Sequence, residues 1–212
     1  MTSEPWIPGD WLALARAVGL PTTSAASIGA ELVARHAEAH RTYHTLVHVR
    51  QVLFDVDRLL RAGAVAPDPD AVRLAAWFHD AVYDPRAAGN EEASAGLAES
   101  LLGGPDVPAQ RRSAVARLVR ATAGHAPGEV DEAVLCDADL AVLATDPRAY
   151  RAYARAIRRE YRHLDDATWA RGRGAFLERM LGRGRLFHTE AMQAAEARAR
   201  ANLGAERAAL QR

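Results

Sequence analysis

Asp68-Pro69-Asp70-Ala71-Val72-Arg73-Leu74-Ala75-Ala76-Trp77-Phe78-His79-Asp80-Ala81-Val82-Tyr83 is the stretch that decides the fold class. Asp68 followed by Pro69 is the cap-then-proline order of a helix start. From Val72 to Phe78 the run is apolar nearly all round, as in a helix covered by neighbours on every side. Alternating, β-branched strand patterns of useful length are missing here and along the rest of the chain. The expectation is an all-α protein with this segment as its central helix.

Upstream, Leu46, Val49, Leu53, Val56 and Leu60 recur at three- and four-residue steps. They predict an amphipathic helix over His44–Ala62, ended by Gly63 and Pro67. Earlier helices are expected over Trp11–Val18, capped by Asp10, and from Ser24 to His40. Downstream, Asn90 is placed to cap a helix over Glu91–Leu102. Further helices are expected over Pro108–Ala123, Glu129–Ala144, Pro147–Arg162, Ala167–Leu181 and Thr189–Ala209. That makes about ten helices. At 212 residues such a chain buries roughly 70% of its unfolded surface and needs no staple. No long linker, repeat or low-complexity tract divides it, so one domain over residues 1–212 is expected. The motif-bearing core is placed at about 41–165, with C-terminal helices over 166–212 packed on it or on a second copy in a homodimer.

The 27 basic and 27 acidic side chains cancel. No global field draws the protein to nucleic acid or to an anionic membrane. Every base is Arg, and the absence of Lys excludes Schiff-base chemistry and a Walker-type phosphate loop. A single cysteine, Cys136, permits no internal disulfide and no Cys-x-x-Cys zinc site. Met1-Thr2-Ser3-Glu4-Pro5 does not open a signal peptide, and no run of about 18 apolar residues spans a membrane. A cytoplasmic location is expected.

The chemistry lies in polar residues set among apolar ones. His79 and Asp80 interrupt the central run, and a buried carboxylate is costly unless paired, hydrogen-bonded or bound to a cation. His44 and His48 are four apart and share one helix face, with His48 nearer the apolar stripe. Asp137 and Asp139 sit in the apolar run Val134–Leu143 but face different ways, so one of them at most is expected at the histidines' centre. The other is left to cap, to pair with an Arg or to bind a second ion. Such His and Asp sets suit Mn, Fe, Co or Zn rather than Ca. An ion held this way makes a nucleophile of bound water near neutral pH. Glu91 and Glu92 are first-turn acids, and either, Glu91 first, is a candidate to orient that water. Arg41, Arg158 and Arg159 are candidates for phosphate contact. If the helix starting at Ser24 ran on unbroken, His36, His40, His44 and His48 would form one ladder. His163 and His188 lack partners at useful spacing and are read as structural.

The order His, His-Asp, Asp on a helical chain resembles the HD-domain superfamily of metal-dependent phosphohydrolases. The likeness narrows to an uncharacterised bacterial branch. It is carried by Arg41-x-Tyr43-His44-x-x-x-His48, Trp77-Phe78-His79-Asp80-Ala81-Val82-Tyr83-Asp84, Asn90-Glu91-Glu92-x-Ser94-Ala95 and Asp137-Ala138-Asp139-Leu140. Tyr153-x-x-x-Ile157-Arg158-x-Glu160-Tyr161 and Ala197-Arg198-x-x-x-Asn202-Leu203 extend it toward the C-terminus. The resemblance implies one metal on His48, His79, Asp80 and Asp139, with His44 the alternative first ligand. Some subgroups hold a second metal through extra histidines, for which His125 is the candidate. The implied activity is hydrolysis of a small phosphoester, a nucleotide or other phosphorylated metabolite, with Asp80, Glu91, Arg41 and Arg158 taking part. A di-iron oxygenase of HD-like fold and a non-enzymatic, metal-stabilised regulatory or binding protein are the alternatives.

Overall fold

The computed structural model describes residues 6–211. Ten α-helices form there, and no strand: α1 (Gly9–Ala17), α2 (Thr22–His36), α3 (Leu46–Arg61), α4 (Pro69–Phe78), α5 (Asn90–Leu101), α6 (Ala109–Ala121), α7 (Val130–Leu140), α8 (Pro147–Glu160), α9 (Asp166–Leu181) and α10 (Glu196–Leu210). Single 3₁₀ segments at Ala141–Ala144 and Glu190–Ala195 precede α8 and α10. Asp68 caps α4 by accepting from Ala71 N (3.2 Å), with Pro69 in the first turn. From Ala71 to Phe78 every α4 residue except Arg73 is buried. Arg73 instead pairs with Asp57 and Asp70. The helix packs against α1, α3, α5, α6 and α7, which explains its nearly uniform apolar composition.

Trp77 and Phe78 meet the Trp11 ring edge-on at centroid distances of 5.5 and 6.3 Å, and Trp11 Nε1 donates to the Ala25 carbonyl (2.7 Å). Each large apolar side chain buried in this way contributes about 1.5–3 kcal/mol. One buried cluster takes residues from Trp11 to Leu203, with Leu177, Met180, Ala199 and Leu203 supplied by the C-terminal helices. Among the described residues no helix is long and apolar enough to cross a membrane. Met1–Pro5, on which the reading of the N-terminus rests, lies outside the described residues.

Several helix ends differ from the sequence reading, each for a local reason. α2 stops at His36, not His40. The two histidines find separate backbone partners, His36 Nε2 at the Trp77 carbonyl (3.3 Å) and His40 Nε2 at the Tyr83 carbonyl (2.8 Å), so no ladder runs on to His48. α3 starts at Leu46, after a Thr45 cap, because the N–H groups of residues 42–44 are bound elsewhere. Its buried face is His48, Val49, Val52, Asp55, Val56 and Leu59, while Leu53 and Leu60 are only half-buried. Gly89, at φ +79°, occupies the cap position of α5. Asn90 begins that helix and closes the preceding loop through Asp84 N and Asp84 O (both 3.0 Å). Pro8 rather than Asp10 precedes α1, and Asp10 pairs with Arg50.

Gly29 lies against this core: a Cβ there would stand 2.6 Å from Trp11 Cδ1 and 2.7 Å from Ile7 Cγ2. Gly29→Ala should therefore destabilise by about 1–3 kcal/mol, despite alanine's better helix propensity. Urea unfolding measures this, and a variant at least as stable as wild type would contradict the close packing of Gly29 on Trp11.

Candidate metal centre

α4 ends at Phe78, and the turn beyond it remains tied to the helix. His79 N donates to Ala75 O (2.8 Å), and His79 Nδ1 donates to Ala76 O (2.9 Å). The second bond places the ring proton on Nδ1 and leaves the Nε2 lone pair free, the tautomer that a metal-ligating imidazole uses. His48, on the buried face of α3, brings its Nε2 to 3.1 Å from His79 Nε2. Asp80 Oδ2 lies 3.0 Å from His79 Nε2 and 3.4 Å from His48 Nε2. Asp139, near the end of α7, places Oδ1 3.1 Å from His48 Nε2 and 3.6 Å from His79 Nε2. Neighbouring ligands at about 2.0–2.2 Å from one ion lie roughly 3–3.5 Å apart, so the separations among His48, His79 and Asp80 fit a single cation. His48, His79 and Asp80 thus form a cluster able to hold a metal ion, and Asp139 brings a second carboxylate to the same imidazoles.

The charges agree with the distances. Burial opposes ionisation of all four groups, but the groups override it in one another. His79 is held well above the ordinary histidine range by Asp80 and Asp139, and His48 is raised by the same two carboxylates. Asp80 is pulled well below the ordinary carboxylate range by His79, His44 and His48, and Asp139 by His125, His48 and His79. Two carboxylates, half-buried at the cavity edge and facing two buried imidazoles, create a demand for positive charge that protons or a metal ion can meet.

The remaining candidates separate cleanly. His125 Nε2 donates to Asp139 Oδ2 (2.7 Å), so it reaches the oxygen turned away from His48 and orients that carboxylate. His125 has φ +45°, an uncommon backbone conformation for a residue other than glycine. His44 is not in the metal cluster: its Nδ1 is bound to Glu160 Oε2 (2.7 Å), while its ring lines the adjoining cavity. Asp137 is also elsewhere, accepting from His188 N, Thr189 N and the Thr189 hydroxyl. Of the three roles expected for the acid outside the centre, capping is the one observed.

Two arginines assigned to phosphate are otherwise engaged. The Arg41 side chain is fully buried and donates to the His44, Asp80 and Ala81 carbonyls and to Glu38. It fixes the turn that carries Asp80 and has no path to a ligand. Arg158 donates to Tyr161 O, Leu164 O and Asp166 and stacks on Trp169, closing the end of α8. Glu92 pairs with Arg120, whereas Glu91 lines the cavity.

That cavity, about 560 Å³, adjoins Asp80 and Asp139 and is walled by Tyr43, Tyr153, Trp169 and Phe176, with Arg173 and Arg179 at its α9 side. Arg173 is bound to Glu206 through Nε (2.8 Å) and Nη2 (3.0 Å).

Comparison of the chain with protein-family models, curated proteins and solved structures gives no match. The functional reading of the centre therefore rests on its geometry.

Glu160, to which the sequence reading gave no role, holds the segment that carries His44. Its Oε1 accepts from the N–H groups of Thr42 (2.7 Å), Tyr43 (2.7 Å) and His44 (3.0 Å), and its Oε2 from the Tyr83 hydroxyl (3.0 Å) and His44 Nδ1. The signal was present: Tyr150, Tyr153, Ile157 and Glu160 recur at helical steps, so an acid takes the next place on the apolar stripe of α8. Burial alone would raise Glu160, but His44 and the backbone donors pull it down to about 2.

Both the Glu160 carboxylate and the raised imidazoles have measurable consequences. A carboxylate lowered from 4.5 to about 2 stabilises the fold above pH 4.5 and loses that contribution as pH falls through the lower value. Glu160→Gln should flatten the acid side of the stability-pH curve between those values, and an unchanged slope in urea titrations would contradict the assignment. Because His48 and His79 are raised, protons compete with metal. Mn²⁺ affinity, read by calorimetry, should be weaker at about pH 6 than at about pH 8, and His79→Ala or Asp80→Ala should cost about 10–100-fold or more. Asp137→Asn should leave that affinity unchanged.

Proposed function

We propose that this protein is a metal-dependent phosphohydrolase of the HD type, acting on a small phosphoester. The carrying observation is the convergence of His48 Nε2, His79 Nε2 and Asp80 Oδ2 within 3.0–3.4 Å at the edge of a cavity of about 560 Å³. Imidazole and carboxylate ligands suit a divalent transition ion, Mn, Fe, Co or Zn. A bound ion would supply an activated water and polarise the phosphoryl oxygen. A nucleotide or another phosphorylated metabolite fits the cavity's volume and aromatic wall.

The protein's own groups divide the remaining work. Glu160 holds His44 by Nδ1 and leaves the opposite edge of the ring for the cavity that His44 lines. An imidazole oriented in this way can deliver a proton to a leaving oxygen, with Glu160 offsetting its charge. Arg41 fixes the carbonyls of Asp80 and Ala81, so the Asp80 carboxylate stays at the imidazoles. His125 keeps Asp139 turned toward them. Tyr43, tilted against His48 (4.6 Å) and edge-on to Tyr153 (4.7 Å), helps to exclude water from the ligand side.

Protein loaded with Mn²⁺, Co²⁺ or Fe²⁺ and assayed on a panel of phosphomonoesters and nucleotides should release phosphate. His79→Ala and Asp80→Ala should abolish turnover. His44→Ala should lower kcat by about 10²–10⁴-fold while metal affinity stays near wild type. Activity that survives in the His79 and Asp80 variants, or a panel without any turnover in metal-loaded protein, would rule the proposal out.

A further inference from the structure

His125 separates two spaces. On one side is the cavity beside the metal centre; on the other is an open cleft of about 530 Å³ lined by His125, Ala126, Arg183, Gly184, Arg185 and His188. Two arginines and two histidines line this cleft, and none of its lining residues is acidic. The cleft beside His40 differs, since there Glu38, Asp84 and Glu160 stand among the arginines.

The basic segment is held in place before any ligand arrives. Glu196 accepts from Leu186 N (3.0 Å) and Phe187 N (3.2 Å), and Asp137 accepts from His188 N (2.8 Å) and Thr189 N (2.7 Å). Arg200 donates to Leu181 O (3.0 Å) and Arg183 O (2.7 Å). Glu196 and Asp137 are thus committed to backbone N–H groups, Asp139 is bound to His125, and the loop geometry is fixed. Arg185 is exposed. Arg183 donates from Nη1 to His125 O (2.9 Å) and from Nη2 to Gly124 O. A guanidinium carries five N–H donors, so others remain for a ligand.

We infer that this cleft is an anion site for a phosphoryl group, distinct from the metal centre, with Arg183 and Arg185 as its charged contacts and His188 as a third donor. Planar guanidinium groups match phosphate oxygens in pairs, and a pre-fixed loop loses little entropy on binding. Arg183 also links the site to the metal centre. The same side chain holds the left-handed Gly124–His125 turn whose imidazole orients Asp139. An anion in the cleft draws on that guanidinium and so reaches the Asp139 carboxylate through His125. The source of the phosphoryl group is either free phosphate or the phosphate chain of a metabolite.

Calorimetry on the full chain with metal removed by chelation tests this, using orthophosphate and pyrophosphate as probes, because binding then cannot come from a metal ion. Wild type should bind pyrophosphate, and Arg185→Glu should weaken it by at least about tenfold. Gly184→Asp should do the same; a Cβ at Gly184 meets nothing within 4 Å, so the fold tolerates it. Asp80→Asn should bind as wild type does, which separates this site from the proposed phosphohydrolase centre. Tighter pyrophosphate than orthophosphate binding supports the metabolite chain, and equal binding supports free phosphate. Pyrophosphate should also shift the His125 imidazole resonances in ¹H–¹⁵N spectra. The site is overturned if no binding occurs, if Arg185→Glu and Gly184→Asp bind like wild type, or if Asp80→Asn removes binding. The link to the metal centre is overturned if binding leaves His125 unmoved.

Discussion

Two buried imidazoles and two half-buried carboxylates brought together form the constraint to which the centre of this molecule answers. Each ionised group is costly to bury alone, and the set is tolerable only because opposite charges lie within 3.0–3.6 Å of one another. Three helices meet at that point: α3 brings His48, the end of α4 brings His79 and Asp80, and α7 brings Asp139. Each of the three packs on the other two, which is what allows separate stretches of chain to share one centre.

Around the four groups lies a layer of residues that bind backbone rather than ligand. Arg41 takes three carbonyls and Glu160 takes three N–H groups. These charged side chains act on the centre through main-chain geometry. A charge in such a position is satisfied by its partners and is not free for substrate, which is why Arg41 and Arg158 leave the phosphate-binding role that their residue type suggested. The arginines that line the cavity come instead from α9, a helix to which the motif pattern assigned no chemistry; Arg173 there is already paired with Glu206, and Arg179 is the other.

Helix periodicity was legible wherever one face is buried throughout, as in α4 and α3, because burial there imposes an apolar pattern along the chain. The same logic exposed His48, His79, Asp80 and Asp139, polar residues at positions that packing would fill with apolar ones. It failed at helix ends. α2 stops at His36 because His36 and His40 find carbonyls more than forty residues along the chain, at Trp77 and Tyr83. α3 starts late because Glu160, more than a hundred residues away in the chain, occupies the N–H groups of residues 42–44.

Composition and spacing by themselves determined the all-α class, the central helix and the set of residues from which the centre is drawn, because these derive from local periodicity and from the cost of burying charge. Only the tertiary structure decided between His48 and His44, between Asp139 and Asp137, and between arginines that hold backbone and those that face a cavity. Those choices depend on which group crosses the fold to meet a given atom, and one-dimensional spacing carries no record of that meeting. Glu160 shows this most plainly: it sits on α8, yet its carboxylate sets the entry to α3 and the orientation of His44.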